Sequence, residues 1–481
     1  MYRRQFLHLL GMGSAAASAY ALGCLKQRDR LPNFVIIYCD DLGYGDLGCF
    51  GSTLHRTPHI DQMSREGIKL TSFLVACPGC TPSRASLLTG CYAQRVGLPH
   101  ILFPEYPTGI NQDEITLPEL LKKRGYATAC IGKWHLGDQP PFLPTRHGFD
   151  KFYGLPYPNA MWPALNGGEH TKKLHAQHNF GPLPLMRNEE VIGPVTDQSI
   201  LTGAYTEEAI TFIQENRDRP FFLYLPHTAV HWPLSPGNDF RGKSRNGLYG
   251  DWVEELDWSM GQILNTLKRY GIDQDTLVIF TSDNGPSPLN NGSVGPLRGR
   301  KGNCFEGGVR LPFIARWPGK IPAGSVCDAV VGNWDIMPTI AGLAGIEMPD
   351  DRIIDGLDVW PLLSGETDHQ LHEVIFHYIG VNLMAVRSGF WKLHVQVWPN
   401  AREQVGLPKD IELPLLYNLE QDIGETKNLS HEYLDIVRKL QSYAEIARQD
   451  LGDGKKYPGK NCRPPGRVSH PRLLIDRNHE K

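Results

Sequence analysis

The stretch Asn33-Phe34-Val35-Ile36-Ile37-Tyr38-Cys39-Asp40-Asp41 decides how the rest of the chain is read. Seven uncharged residues, mostly β-branched, aliphatic or aromatic, describe a strand covered on both faces, as at the centre of a parallel sheet. Two carboxylates then emerge at its carboxyl end. The run Asp275-Thr276-Leu277-Val278-Ile279-Phe280-Thr281-Ser282 ends the same way, on Asp283-Asn284-Gly285. Ala127 to Gly132 runs into Lys133-Trp134-His135, and Phe221 to Leu225 runs into His227 and His231. Four apolar runs that each release polar residues at the same end gather those residues on one sheet edge, where ligands bind in open α/β folds.

Helical patterns lie between the runs, at Ser86 to Thr89, Leu117 to Arg124, Ala204 to Asn216 and Trp252 to Tyr270. The alternation predicts an α/β sandwich with a large, mostly parallel sheet flanked by helices. After Asp355-Gly356-Leu357 the pattern changes. Val374 to Tyr378, Leu383 to Arg387 and Trp391 to Val395 are short runs between turn signals, which predict a smaller C-terminal antiparallel-sheet subdomain closed by a helix over Tyr433 to Gln449. The expected division is a leader at 1–24, a catalytic domain at 31–365, the C-terminal subdomain at 366–450 and an extended tail without regular structure at 451–481.

In the leader, Arg3-Arg4 precede Phe6-Leu7 and a small-residue apolar run from Leu9 to Gly23. This is the layout of an export signal, similar to a twin-arginine signal and too short for a mature membrane anchor. Ala21-Leu22-Gly23-Cys24 resembles an imperfect lipoprotein box, which would leave a lipid anchor on Cys24. The expected location is periplasmic or cell-surface. With 41% hydrophobic and 21% charged residues the chain is globular. A formal net charge of -3 leaves no basic excess to neutralise a phosphate backbone, so no nucleic acid partner is expected. The 10 cysteines are scattered rather than set in a compact disulfide framework. Cys77 and Cys80 are spaced like half a zinc site whose second half is missing.

Asp40, Asp41, Asp283 and Asn284 offer oxygen donors, a set that suits a hard divalent cation such as calcium or magnesium. Three gathered carboxylates would otherwise repel one another. The plainer alternative makes Asp40 a turn cap and Asp283-Asn284-Gly285 a loop. In Cys80-Thr81-Pro82-Ser83-Arg84, Pro82 or Ser83 is expected to start a helix whose free amides face Cys80. An unmodified Cys80 there, beside Arg84, would be an activated thiolate or else a half-buried cysteine under a helix start.

Cys80-Thr81-Pro82-Ser83-Arg84 with Leu88-Thr89-Gly90 resembles the signature of the type I sulfatases, members of the alkaline-phosphatase-like superfamily. The resemblance extends over about residues 31 to 430, through Asp40-Asp41-Leu42-Gly43, Gly132-Lys133-Trp134-His135-Leu136-Gly137, Thr281-Ser282-Asp283-Asn284-Gly285, Phe305-Glu306-Gly307-Gly308 and Leu416-Tyr417-Asn418-Leu419-Glu420. It looks closest to the N-acetylgalactosamine-6-sulfatase and arylsulfatase A branch. It implies that a formylglycine-generating enzyme converts Cys80 to Cα-formylglycine, and that Asp40, Asp41, Asp283 and Asn284 hold calcium. One hydroxyl of the hydrated aldehyde would attack sulfur, steadied by Arg84. Lys133 and Lys301 would grip sulfate oxygens, and His231 or Lys301 would protonate the leaving oxygen. His135 would deprotonate the second hydroxyl to expel sulfate. His227 competes for the role given to His231, but Pro233 in His231-Trp232-Pro233 favours the latter.

The implied substrate is a sulfated carbohydrate, galactose or N-acetylgalactosamine sulfate at a chain end, with Trp162, His178 and Trp232 as candidate stacking residues. Two other readings are a phosphoesterase or phosphonate hydrolase of the same superfamily, and a non-catalytic sulfated-glycan-binding protein. The chain departs from the family at Cys91, where an arginine usually follows Thr-Gly. Arg95 stands nearby, and Cys77 adds a second thiol next to the signature.

Overall fold

The computed structural model describes residues 30–162, 177–178, 180–454 and 457–475. The proposed leader, with Cys24, lies outside the described residues. The central strand Asn33–Cys39 is flanked by Thr276–Ser282 and Phe221–Pro226, both parallel to it, and Phe221–Pro226 is followed by Ala127–Lys133 and Lys151–Leu155, also parallel. Cys39 lies opposite Ser282 and Tyr38 opposite Pro226, so the carboxyl ends of the three middle strands coincide. That register brings residues 40 and 283, far apart in sequence, to one edge.

The large sheet is mixed. Its middle is parallel as expected, whereas Arg310–Arg316 runs antiparallel to both Thr276–Ser282 and Ile68–Leu74, and the hairpin of Pro184–Arg187 and Glu190–Pro194 adds antiparallel pairs at the other margin. Period-two alternation sends the central strand into two cores. Phe34, Ile36 and Tyr38 enter one, which continues into the C-terminal sheet. Val35, Ile37 and Cys39 enter the other, beneath the helices Leu201–Asn216 and Gly247–Arg269. A strand apolar from Phe34 to Cys39 is thereby buried on both faces.

The C-terminal sheet is antiparallel, ordered Ile375–Ile379, Asn382–Ser388, Trp391–His394 and Leu415–Asn418. The helix Leu434–Asp450 closes it with Val437, Leu440, Ala444 and Ala447 buried, one stripe at helical spacing. The following tail differs from the expectation of no regular structure. Gly466–Arg467 pairs with Thr108–Gly109 and Gly452–Asp453 pairs with Tyr457–Pro458, because short backbone ladders satisfy amides that a packed tail would otherwise leave bare. Among the described residues, no helix is long and apolar enough to cross a membrane.

Candidate active site

The helix that carries the signature begins at Cys80, not at Pro82 or Ser83. Gly79 caps it, and Ser83 N–H already donates to Gly79 O at 3.1 Å. Pro82 is tolerated because amides of the first turn have no intrahelical acceptor to lose. Tyr38 on the central strand meets Ser83 Oγ at 2.8 Å, and Asn333 Nδ2 donates to Ser83 O at 2.7 Å, which pins the helix start to the sheet edge. The helix ends at Gly90, whose φ of 67° is the left-handed cap that glycine favours.

At this edge Asp40, Asp41, Cys80 and His231 bring one potential ligand atom each within 4.8 Å of one another. Lys133 Nζ donates to Asp40 Oδ2 at 2.5 Å. Lys301 Nζ reaches Asp41 Oδ1 at 2.6 Å and Cys80 Sγ at 3.2 Å. Arg84 donates to Asp283 Oδ2 through Nε at 3.1 Å and Nη2 at 2.7 Å, and through Nη1 to Lys133 O at 2.9 Å. Asn284 Nδ2 donates to Asp41 Oδ1 at 2.7 Å. The four residues expected to hold a cation are thus linked in one network, Asp41 and Asn284 directly and Asp283 through Arg84 and the Asp41 amide, interleaved with three cationic side chains.

Two buried oxygens in this cluster, Asp41 Oδ2 and Asn284 Oδ1, accept no hydrogen bond. A buried acceptor without a donor costs about 1–3 kcal/mol. A hard cation would satisfy both, and an oxygen donor set of this kind fits calcium or magnesium. Asp283 differs: Arg84 covers its Oδ2 and Asp41 N–H donates to its Oδ1 at 3.1 Å, so it shares its oxygens with the protein.

Burial opposes ionisation of Asp40, but Lys133, His231 and Arg84 outweigh it, and its carboxyl sits at about 2. Burial pushes the Cys80 thiol up to about 12 despite Lys133 and Lys301. This opposes the activated-thiolate reading: burial, with Asp40 and Asp283, outweighs what Lys133 and Lys301 return. Burial also opposes charge on Lys301, yet Asp41 and its neighbours hold its ammonium well above the usual range.

Asp41 and His135 both have left-handed backbone, with φ of 60° and 64°. That conformation costs a non-glycine residue about 1 kcal/mol and persists only where the surroundings impose it. His135 N–H is held by Pro156 O at 3.0 Å, and its Nε2 faces Leu102 O at 3.0 Å. Because a carbonyl only accepts, Nε2 carries the proton and Nδ1 is bare. That Nδ1 is buried without a partner. Burial, then Lys133, holds the imidazole well below its usual pKa, so the ring is uncharged. His231 Nε2 lies 3.8 Å from Asp41 Oδ2, and its Nδ1 meets Trp232 O at 2.5 Å.

His227 is not at the site. Phe221, Leu223 and Leu225 face the second core, and residue 227 continues that alternation, so its Nε2 meets Ser259 Oγ at 3.3 Å beneath the helices. Arg95 is also elsewhere, clasped by Asp355 at 2.7 Å and Asp450 at 2.6 Å. Cys91 Sγ instead meets Arg463 Nη2 of the tail at 3.5 Å. Cys77 is a buried free thiol, as are the other described cysteines in the core.

Above the cluster opens a cavity of about 410 Å³ with Cys80, His135, His231 and Lys301 at its floor. Its walls are Ile101, Phe103, Met161, Trp232 and Leu289, with prolines 158 and 288. Sequence reasoning identified only Trp232 among these. His178 stacks on the far side of Phe103, 4.2 Å between centroids, and Trp162 packs against the second core. Ile101 and Phe103 lie in a segment with neither strand nor helix periodicity, and nothing in the spacing marks them.

A family model described as "Sulfatase" matches residues 32–346, and one described as "C-terminal region of aryl-sulfatase" matches residues 370–464. The chain is 41% identical over 439 residues to steryl-sulfatase of Homo sapiens, covering 75% of each chain. It is 38% identical over 481 residues to N-acetylgalactosamine-6-sulfatase of Rattus norvegicus, covering 90% of this chain and 89% of that one. The solved structure of PsFucS1 sulfatase from Pseudoalteromonas sp. matches with a TM-score of 0.79 at 31% identity, over 90% of this chain and 92% of that one.

Proposed function

From the premise that this chain belongs to the sulfatase family and is a sulfuric-ester hydrolase, we propose that it cleaves sulfate esters of a carbohydrate through residue 80 matured to Cα-formylglycine. The observation that carries this reading is the convergence of Cys80 and Lys301, on the floor of one cavity, with Lys133, Arg84 and the acid cluster gathered against them. Asp40, Asp41, Asp283 and Asn284 would hold calcium, which when bound supplies positive charge facing the sulfate oxygens. The hydrated aldehyde supplies one hydroxyl for attack on sulfur and a second whose ionisation releases inorganic sulfate.

The remaining work falls to this chain's own side chains. Lys301, 3.2 Å from Cys80 Sγ, and Lys133 grip the sulfate oxygens. Arg84 holds a hydroxyl of residue 80 and shields the growing charge. His135, with Nδ1 bare, removes the proton from the second hydroxyl. His231 donates a proton from Nε2 to the leaving alcohol. Burial and Lys301 oppose the imidazolium, while Asp40, Asp41 and an anionic ester favour it.

For the alcohol we favour galactose or N-acetylgalactosamine sulfate at a chain end, supported by the N-acetylgalactosamine-6-sulfatase relatives that match over about nine-tenths of the chain. A second reading, an apolar aromatic or polycyclic alcohol, is favoured by the walls of Ile101, Phe103, Met161, Trp232 and Leu289 and by the steryl-sulfatase relatives. Maturation by a formylglycine-generating enzyme and export through residues 1–24, with Cys24 as lipid anchor, complete the proposal.

The test is peptide mass spectrometry of residue 80 after coexpression with a formylglycine-generating enzyme, with sulfate release measured on sulfated galactose, N-acetylgalactosamine, aryl and steroid esters. An aldehyde with sulfate release from the sugars supports the first reading. Release from aryl and steroid esters alone moves the substrate to the second. Fully matured protein inactive on every sulfate ester overturns both and brings phosphate and phosphonate esters forward.

A further inference from the structure

Behind the cavity floor lies a second, fully buried charge cluster that the reaction above does not use. Glu306 pairs with Lys392 at 2.8 Å, Arg387 at 3.1 Å and Arg310 at 3.4 Å. Glu425, from the loop after the last strand of the C-terminal sheet, takes His394 Nε2 at 2.7 Å and Lys392 at 3.3 Å on Oε1. Its other oxygen, Oε2, accepts Glu306 N–H at 2.6 Å, and its backbone carbonyl accepts Arg298 Nη1 at 2.5 Å. One residue therefore holds both ends of the 298–306 stretch, which Gly307 N–H closes onto Arg298 O at 2.7 Å. Lys301 sits at the tip of that stretch, fixed from the other side by its own N–H on Pro286 O at 3.1 Å and by Gly302 N–H on Pro78 O at 3.1 Å.

Glu425 is wholly buried, with a left-handed φ of 52°. Asp422 holds it there: Glu425 N–H donates to Asp422 O at 3.1 Å, and the next two amides donate to Asp422 Oδ2 at 2.7 and 2.8 Å. A strained, buried carboxylate that bridges two subdomains at the root of a catalytic loop has more than packing to do. We propose that Glu425 is a positioning residue for Lys301: through the Glu306 amide and Arg298 it sets the height of the loop that delivers the ammonium to residue 80. The inference rests on the reading of Lys301 given above. It makes the C-terminal subdomain part of the active site rather than an appendage.

The test is a double-mutant cycle in the full-length, formylglycine-matured protein, with Glu425→Ala made alone, in the Lys301→Ala background, and beside Lys301→Ala alone. Rates are taken on the best ester of the panel, and melting temperature is recorded for each variant. Misplacement of a reacting group lowers kcat/KM by about 10- to 100-fold, and that loss is expected for Glu425→Ala in the wild-type background. In the Lys301→Ala background the same change should cost less than about 3-fold, since the group it positions is gone. Should Glu425→Ala fail to fold, Glu425→Gln carries the cycle. It keeps an oxygen for the Glu306 N–H but sets an amide against Lys392, so its loss should be smaller and equally dependent on Lys301. Equal losses in both backgrounds, or no loss in the wild-type background, overturn the proposal. Lys301→Ala at wild-type activity overturns it too, by removing the role of Lys301 itself, an outcome the single variant reveals directly.

Discussion

Two buried charge clusters sit on either side of the Lys301 loop, built from the same side-chain types and finished differently. In the rear cluster each carboxylate of Glu306 and Glu425 is saturated by Lys392, Arg387, Arg310, His394 or a backbone amide. On the cavity floor Asp40, Asp41 and Asp283 face Lys133, Lys301 and Arg84, yet Asp41 Oδ2, Asn284 Oδ1 and His135 Nδ1 remain buried without partners. Buried polar groups are mostly paired, so three unpaired atoms gathered in one cluster leave room there for an outside group. Unpaired buried atoms occur elsewhere too, as at His227 Nδ1 and His377 Nε2, so what sets the floor cluster apart is that three of them gather beside one cavity.

The largest break in this comparison is expected at the proposed nucleophile, residue 80. Cys80→Ala should lower sulfate release by about 1000-fold or more, measured as initial rates on matured protein, while the melting temperature moves little. A melting point that falls in step with activity would place Cys80 in the scaffold instead.

Breaking the rear cluster should do the reverse. Glu306→Ala leaves Arg387 and Arg310 without a carboxylate in the interior, with Lys392 held by Glu425 alone, and is expected to cost about 3–5 kcal/mol by denaturant unfolding. A cost below about 1 kcal/mol would show that water reaches the cluster and that its burial is not what holds it.

Cation binding sharpens the contrast at a smaller scale. Calcium at about 100 times its Kd should stabilise the protein by about 2.7 kcal/mol, read as a rise in melting temperature that chelation reverses. Asp41→Asn should abolish that rise and the activity. An undiminished shift in the variant would move the cation away from the floor.

The smallest effect is expected at the walls. Phe103→Ala removes an aromatic face and should raise KM for an aryl or steroid sulfate by about 10-fold, roughly 1.4 kcal/mol, with kcat nearly unchanged. If the alcohol is a sugar held by hydroxyl contacts, KM for that sugar should move less than for the aryl ester.

Much of this arrangement was legible beforehand. The run from Phe34 to Cys39 is apolar at every position because both its faces are covered, and the carboxylates after it had to emerge at the sheet edge. The C-terminal strands announced themselves by short runs between turns. The start of the signature helix was misplaced by two or three residues because Pro82 and Ser83 are helix-start residues by type, and only the Gly79 cap shows that the first turn is already complete beneath them. Burial of the Cys80 thiol had no local signal either, since desolvation depends on what packs over a residue and not on its neighbours in the chain.

By itself, then, the sequence determined the alternation of strands and helices and the residues released at the strand ends. These follow from periodicity and near-neighbour chemistry, which act over a few residues. Only the tertiary structure decided that His231 reaches the floor while His227 turns into the core, that Ile101, Phe103 and Leu289 wall the cavity, and that Glu425 grips the loop of Lys301 from the other sheet. Each of those outcomes depends on how segments distant in the chain pack against one another. Packing is set by the sum of many weak contacts rather than by any motif a single stretch can display.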